Sequence, residues 1–451
     1  MSLSDRLDRD DAATAKSFPH VPSLKNGTSQ TPGNDIENIK LLVQNRLIQS
    51  VGQQVYQGFI DAQQLESLAY EAINDVLRAA DKPITGLDKA KLVQDIIDDL
   101  LGHGPLEPLL RDPEVSEIMV NRFDLIYVER KGKLYVADVK FDNEEHLRRT
   151  IERIVGRVGR RIDESSPLVD ARLPDGSRVN AVVPPIALDG SSLTIRKFAA
   201  DPYTAAHLVA MGTIPQAAMD VLDACVRGRL NILISGGTGS GKTTTLNVLS
   251  SFIPDNERII TIEDAAELQL VQPHVLRLES RPANIEGTGL ITVRDLVRNS
   301  LRMRPDRIIV GEVRDAAALD MLQAMNTGHD GSITTVHANS SRDALSRIET
   351  MVLMAGMELP VRVIREQIVQ AIDLVIQQSR LRDGTRKIVE ICEVTGMDGD
   401  TIQTQNLFSF QYFANPQPGA LGSLKPTGLM PRFDEKLRDR GISISREVFF
   451  S

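Results

Sequence analysis

The chain has little of several residue types, and each shortage excludes a class of protein. It has no tryptophan, and aromatic residues are 4% of its 451 residues, so few rings are present on which single-stranded nucleic acid would stack. Its two cysteines, Cys225 and Cys392, are far apart and form no Cys-x-x-Cys pair. That usage fits a reducing cytosol and excludes a cysteine-based zinc module.

Long apolar runs and a positive net charge are also missing. No window approaches the roughly 20 uninterrupted apolar residues of a membrane span, and the first residues lack the basic and apolar regions of a secretory signal. We therefore expect a cytoplasmic protein that is soluble or peripheral to a membrane. The formal net charge of −9 is not that of a dedicated nucleic-acid binder.

The most informative stretch reads Gly-Gly-Thr-Gly-Ser-Gly-Lys-Thr, from Gly236 to Thr243, directly after an apolar run. It predicts a buried strand, a glycine loop whose backbone N–H groups converge on phosphate, and a helix from about Lys242. Lys242 would reach the β and γ phosphates of a nucleoside triphosphate, and the Thr243 hydroxyl would ligate Mg²⁺. The predicted nucleotide-binding residues are Gly237, Thr238, Gly239, Ser240, Gly241, Lys242, Thr243 and Thr244.

Composition and periodicity divide the chain, whose length allows about three domains, into parts of different character. Its two ends are rich in proline and weakly apolar. Between them lie a region of helical periodicity, a region of mixed signals, and a region of alternating strands and helices that is typical of an α/β domain with a mostly parallel sheet. The predicted parts are a disordered tail (1–34), a helical bundle (35–102), a small α+β domain (103–200), an α/β domain (201–400) and a partly ordered C-terminal extension (401–451).

The small α+β domain concentrates positive charge. Residues 146–198 hold ten Arg and Lys against six Asp and Glu, and two hairpins are predicted, around residues 130–132 and 174–176. Between them, residues 147–158 have the spacing of an amphipathic helix. Its other face is basic, either simply solvated or used for docking or phosphate binding; its arginines are Arg149, Arg153, Arg157 and Arg161.

Three short apolar runs in the α/β domain, at 259–262, 308–310 and 333–336, end in polar residues. Ligands of such sheets lie at the carboxyl ends of the strands, so these residues are site candidates. Glu263 and Asp264 follow the first run; one could orient a water on Mg²⁺ and the other a nucleophilic water. A further hairpin is predicted around residues 382–385.

Glu312 is the first carboxylate after the second run. It is placed to act as a general base that polarises water for attack on a γ-phosphate, or else only to cap the helix that follows. His329 and His337 have no cysteine nearby and make a poor metal site. His337, however, ends a strand, from which an imidazole could report the presence of a γ-phosphate.

Four blocks of the sequence, taken in order, resemble the secretion ATPases of the type II and type IV secretion and pilus superfamily, and most closely the Tad/Flp pilus assembly ATPases (CpaF-like). The blocks are residues 236–243, 261–264, 308–312 and 328–337. They match that superfamily's Walker A, Asp box, Walker B and His box. The closer resemblance rests on residues 301–312, 324–329 and 173–180. The tetracysteine module of type II secretion ATPases is missing, which favours the Tad/Flp branch.

The resemblance implies a RecA-like P-loop motor preceded by a PAS-like α+β domain and a helical bundle, assembled as a homo-hexamer with ATP between subunits. It implies a Mg²⁺-dependent ATPase that moves inner-membrane pilus machinery and binds membrane platform proteins. Mg²⁺ would lie near Thr243, Asp264 and Glu312. Arginines of the PAS-like domain would complete the site; Arg172, Arg178 and Arg196 are candidates, and Arg196 matches best.

Other interpretations stay open at this point. An ATP-driven nucleic-acid translocase shares the RecA-like core, and a nucleotide-gated scaffold would bind nucleotide but barely hydrolyse it. Arg196 could also pair with a nearby carboxylate and hold its domain together. Against the translocase stand the acidic charge and few aromatics.

Overall fold

The computed structural model describes residues 39–40, 42–43, 46–47, 62–80, 85–130, 132–198, 202–283, 288–417 and 420–450. The predicted disordered tail, residues 1–34, lies outside them. The chain forms two compact units, residues 1–107 and 108–451.

The first unit contains helices packed through apolar faces. They are α1 (Ala62–Ala80), α2 (Gly86–Leu100) and a short 3₁₀ helix (Gly104–Leu106). Thr85 begins α2 as its N-cap, because its hydroxyl accepts a hydrogen bond from the Asp88 N–H at 3.1 Å. The buried side chains recur at helical spacing: Ile39, Val43, Leu47, Ala69, Ala72, Ile73, Leu92, Val93 and Ile96.

The second unit begins with a six-stranded antiparallel sheet in the order β3-β2-β1-β6-β5-β4. Both predicted hairpins are confirmed: β2 pairs with β3, and β4 pairs with β5. The elements are α3 (Glu107–Arg111), β1 (Val115–Arg122), β2 (Leu125–Arg130), β3 (Lys133–Val136), α4 (Glu144–Arg157), β4 (Leu168–Arg172), β5 (Arg178–Val182) and β6 (Ser192–Arg196).

Helix α4 is the amphipathic helix that the sequence predicts in this region. Leu147 and Ile151 are among its buried residues, and Asn143 caps its amino end. Arg149, on the basic face, is exposed and lies 3.7 Å from the Glu145 carboxylate. Arg157 and Arg161 are exposed as well, whereas Arg153 is partly buried.

A nine-stranded mixed sheet follows, in the order β15-β14-β13-β12-β7-β11-β10-β8-β9. The strands from β12 to β9 are parallel, and β13, β14 and β15 add antiparallel strands beside β12. Its strands are β7 (Ile232–Gly236), β8 (Ile259–Glu263), β9 (Val275–Glu279), β10 (Arg307–Val310), β11 (Ile333–Val336), β12 (Leu374–Arg380), β13 (Arg386–Asp398), β14 (Thr401–Gln417) and β15 (Ala420–Pro426).

Helices cover both faces of this sheet, and the two apolar cores lie between helices and strands. Strands β7, β8, β10 and β11 are buried along their whole length, as expected for parallel strands covered on both sides. The helices are α5 (Ala205–Ala210), α6 (Gln216–Arg227), α7 (Lys242–Ser250), α8 (Val293–Ser300), α9 (Ala317–Asn326), α10 (Ser341–Leu353), α11 (Val361–Ala371) and α12 (Asp434–Asp439).

The C-terminal segment differs from the partly ordered extension that its prolines predict. Strands β14 and β15 complete the sheet, and Phe433, Leu437 and Phe449 are buried in its core. The Glu393 carboxylate fastens the segment by accepting hydrogen bonds from the backbone N–H groups of Arg432 and Phe433. The apolar side chains that follow the prolines therefore outweigh the turn signal.

None of the helices in the described part of the chain is both long enough and apolar enough to span a bilayer.

Candidate active site

The loop between β7 and α7 has the geometry that the glycine-rich motif predicts. Gly239 and Gly241 have φ angles of 68° and 98°, in the region that L side chains rarely adopt. At Gly236 a Cβ atom would lie 2.3 Å from the Gln378 carbonyl oxygen, so this position needs glycine for space. Helix α7 begins at Lys242, and its first backbone N–H groups are available to an anion.

Lys242 is buried by the loop, with 7% of its surface exposed. Its ammonium donates to the Gly237 carbonyl at 3.1 Å and lies 3.3 Å from Nδ1 of His337. Burial lowers the pKa of Lys242, an effect that the charge of Glu312 opposes. Within the described residues this ammonium forms no ion pair within 4.0 Å, so no carboxylate contacts it directly.

Glu312 follows β10 and is fixed by the backbone on both sides. The Gly311 N–H donates to the Ile262 carbonyl at 2.8 Å, and the Val313 N–H donates to the Thr335 carbonyl at 2.9 Å. The Thr335 hydroxyl also donates to the Gly311 carbonyl. This bonding aims Glu312 outward from the carboxyl edge of the parallel strands.

Arg314 joins Glu312 to Asp264. Its guanidinium donates to Oε2 of Glu312 at 3.0 Å and lies 3.1 Å from Oδ2 of Asp264. Burial acts to raise the pKa of Glu312, but the hydrogen bond from Arg314 and the nearby positive charges hold it below its ordinary value. Glu312 is therefore ionised at neutral pH.

His337 lies between the cation and the base. Its Nε2 is 3.2 Å from Oε1 of Glu312, on the side of the ring towards that carboxylate. Burial and the charge of Lys242 lower the pKa of His337, so its imidazole is neutral at pH 7. A neutral imidazole can donate from one nitrogen while the other accepts.

Glu263, the last residue of β8, is hydrogen-bonded by the loop that follows that strand. Its Oε2 accepts hydrogen bonds from the backbone N–H groups of Glu267 and Leu268, at 2.7 and 3.0 Å. Burial raises the pKa of Glu263 to about 7, against the lowering effect of those two hydrogen bonds. These two bonds pair backbone N–H groups of the loop after β8. The catalytic role that the sequence suggests for Glu263 stays a prediction.

That loop also receives the arginines of the six-stranded sheet. Arg172 lies 2.8 Å from the Glu279 carboxylate, and Arg178 donates to Glu267 at 2.7 Å. Arg196 reaches Glu267 only at 3.8 Å, and 61% of its side chain is exposed. Two of the three candidates are therefore held within the chain, and Arg196 is held least.

His329 is separated from His337 by the length of β11. It precedes the amino end of that strand, where its Nδ1 lies 3.3 Å from the Ala324 carbonyl. His337 follows the carboxyl end. The structure therefore does not place the two histidines together.

Sequence reasoning singles out neither Arg314 nor Gln378. Arg314 stands two residues after Glu312, and that proximity was a usable signal. Gln378 lies on β12, where its Oε1 accepts a hydrogen bond from the Thr245 hydroxyl at 2.8 Å. Because the two positions are 133 apart in sequence, no local pattern predicts the contact.

The residues fit a nucleotide phosphate bound with a divalent cation. The Lys242 ammonium and the amino end of α7 suit a phosphate. Thr243 is partly exposed and follows Lys242, where its hydroxyl is a suitable oxygen ligand for Mg²⁺. Glu312 and Asp264 supply carboxylates, each already paired with Arg314.

Comparison with known proteins gives a consistent assignment. The family model described as "Type II/IV secretion system protein" matches residues 99–415. A putative conjugal transfer protein of Mycobacterium tuberculosis is 38% identical over 307 residues, which cover 67% of this chain and 87% of the relative. The type IV secretion system protein VirB11 of Bartonella quintana is 31% identical over 328 residues, 64% of this chain and 90% of the relative.

Among solved structures, the VirB11 ATPase of the Brucella suis type IV secretion system, in complex with sulphate, is similar at 31% identity. The match covers 64% of this chain and 91% of that one, with a TM-score of 0.35. The family match extends over most of the chain, including the phosphate loop and the strands that carry Glu312 and His337. The chain belongs to the type II/IV secretion system protein family.

Proposed function

We propose that this protein is a Mg²⁺-dependent ATPase whose homo-hexamer powers assembly, or assembly and retraction, of a Tad/Flp type IV pilus at a bacterial inner membrane. The observation that carries the hydrolytic part is the line of contacts from Lys242 through His337 to Glu312. A passive binder needs the loop and its lysine, but not an ionised carboxylate and a neutral imidazole beside them.

In this proposal the residues of the site have different tasks, and Glu312 takes part in two of them. Lys242 and the loop amides, from Gly237 to Gly241, bind the β and γ phosphates, and Thr243 with Glu312 or Asp264 would hold Mg²⁺, directly or through water. Bound Mg²⁺ would neutralise charge that develops on the phosphates. Glu312 polarises the attacking water, because its low pKa keeps it ionised.

A neighbouring subunit of the hexamer supplies a further positive charge to the site, the guanidinium of Arg196. Arg196 is mostly exposed and only weakly paired within its own chain, so its guanidinium is available to nucleotide bound in a neighbouring subunit. A guanidinium donates two parallel hydrogen bonds to phosphate oxygens and offsets transition-state charge. The alternative is that Arg196 only joins Arg178 in holding Glu267.

The pilus assignment is finer than the family and rests on sequence. Residues 301–312, 324–329 and 173–180 resemble the Tad/Flp branch, and no cysteine module is present in the sequence. The protein would act in the cytoplasm, peripheral to the inner membrane through platform proteins, with no direct binding to nucleic acid.

A second candidate is the motor of a conjugation or type IV secretion channel. It is favoured by the relatives named for conjugal transfer, among them TrbB of Rhizobium radiobacter, 33% identical over 306 residues. In this alternative the same site drives a different membrane machine. The two candidates differ in their partners and not in their chemistry.

Phosphate release by the purified protein tests the shared chemistry. We expect steady Mg²⁺-dependent turnover that Lys242→Ala abolishes through lost ATP binding, together with a hexameric mass. A parent protein that binds ATP without turnover would instead be a nucleotide-gated scaffold. Crosslinking in the native cell followed by identification of the captured membrane proteins separates pilus platform components from those of a secretion channel, and stimulation of turnover by DNA or RNA would favour a translocase.

A further inference from the structure

The hairpin formed by β12 and β13 brings a second cation to the phosphate loop. Strand β12 is the parallel neighbour of β7, and Gln378 is paired with Gly236, the last residue of β7. Strand β13 returns antiparallel, starting at Arg386. The turn end of this hairpin therefore lies beside the loop, although it is about 140 residues away in sequence.

Arg386 lies across the outer side of the loop. Its Nε donates to the Gly239 carbonyl at 3.0 Å, and a Cβ atom at Gly241 would lie 3.4 Å from its Cδ. The next residue, Lys387, is buried and donates to the carbonyls of Met211 and Gly212. That anchor fixes the backbone from which Arg386 extends.

The rest of the guanidinium is unused. Within the described residues, the terminal amino groups of Arg386 make no hydrogen bond and the side chain forms no ion pair. The cross-strand neighbour Arg380 instead donates to the Gly132 carbonyl of the β2–β3 turn. A single contact to a carbonyl leaves a full positive charge and four N–H donors at the rim of the loop.

Resting on the proposed function, we infer that Arg386 is a phosphate-binding residue of the same subunit, which holds a nucleotide polyphosphate on the loop together with Lys242. Arginine suits this place because its Nε can keep the loop carbonyl while its terminal groups bind phosphate oxygens. Arg386 thus contributes to binding, and Glu312 to hydrolysis.

Binding of ADP and of inorganic pyrophosphate, measured by calorimetry, tests this inference. Arg386→Gln keeps an N–H donor for the Gly239 carbonyl but removes the charge, and we expect it to raise the Kd of both ligands by about 10-fold. Arg382→Gln, on the same exposed turn, is the matched control and should leave both values unchanged. Thermal melting of each variant verifies folding.

The outcomes separate the possible roles. If Arg386→Gln binds both ligands as the parent does while Arg386→Ala does not, Arg386 only braces the loop and the inference is overturned. Equal binding by all three proteins overturns it as well. If the parent binds neither ligand, or Lys242→Ala binds them unchanged, it is the proposed function that fails.

Discussion

The two edges of the parallel strands carry charged residues of the same types, but they differ in how completely these charges are buried and paired. At the amino edge, Arg307 is fully buried and donates to the carbonyls of Val226 and Gly331, at 2.9 and 3.1 Å, as well as to the Glu257 carboxylate. Asn231 closes the same edge, with its Oδ1 accepting from the N–H groups of Gly331 and Ser332.

At the carboxyl edge the charges range from the buried Lys242 to the exposed Arg314, and they are incompletely matched. Lys242 has no ion pair among the described residues, and His337 is neutral beside an ionised Glu312. Gly331 shows how tightly the other edge is packed, since a Cβ atom there would lie 1.8 Å from Nη1 of Arg307. A hydrogen-bond network in which the charges are paired, as at the amino edge, stabilises a fold. A network with incompletely paired charges, as at the carboxyl edge, leaves charge that can bind a ligand.

The largest expected effect is on catalysis at the carboxyl edge of the parallel strands. Glu312→Gln should retain ATP binding and lose about 10²- to 10⁴-fold in turnover, because it removes the base and keeps the shape. Steady-state phosphate release and ATP titration measure the two properties. Turnover at the parental rate would mean that another group activates the water.

At the amino edge of the parallel strands we expect a loss of folding stability instead. Glu257→Gln leaves the buried Arg307 guanidinium uncompensated, which costs about 3–5 kcal/mol of unfolding free energy. The double variant Glu257→Gln, Arg307→Met removes that charge and should recover part of the loss. Denaturant melts measure both, and a single variant as stable as the parent would show that this edge is not a stabilising network.

Glu263 belongs to neither pattern, and its effect depends on pH. Its native pKa is raised to about 7, so the folded chain holds a proton that the unfolded chain releases. The stability from this group is present below pH 4.5 and is lost as pH rises through 7. Glu263→Gln should therefore gain about 2–4 kcal/mol relative to the parent between pH 5 and pH 9. Parallel pH dependences for the two proteins would contradict the raised pKa.

The smallest expected effect tests whether Arg196 of a neighbouring subunit completes the site at the carboxyl edge. Arg196→Ala should fold, assemble and bind ATP, but hydrolyse it at least about 10-fold more slowly. Arg178→Ala removes the stronger contact to Glu267 and serves as its control. Normal turnover in Arg196→Ala would end the catalytic role, and lost folding would favour a structural one.

Periodicity and turn chemistry predicted the elements well where they are local. The hairpins around residues 130–132 and 382–385 are present, and the strand at 333–336 has the predicted limits. Prolines misled the prediction for the chain's last 50 residues, because burial of Phe433 and Phe449 depends on a sheet that no local window contains. The hydrogen bonds that Glu263 accepts from the backbone N–H groups of Glu267 and Leu268 likewise depend on how the loop after β8 folds back on that strand.

The sequence by itself determined the phosphate loop, because glycines at Gly239 and Gly241 permit backbone angles that other residues resist, and a lysine must follow them. It also determined that polar residues end the parallel strands. Only the tertiary structure decided which of those residues meet: Arg314 with Asp264, His337 with Lys242, and Arg386 with Gly239. Such contacts join residues 50 to about 150 positions apart, and strand order, which short sequence patterns do not specify, sets their distances.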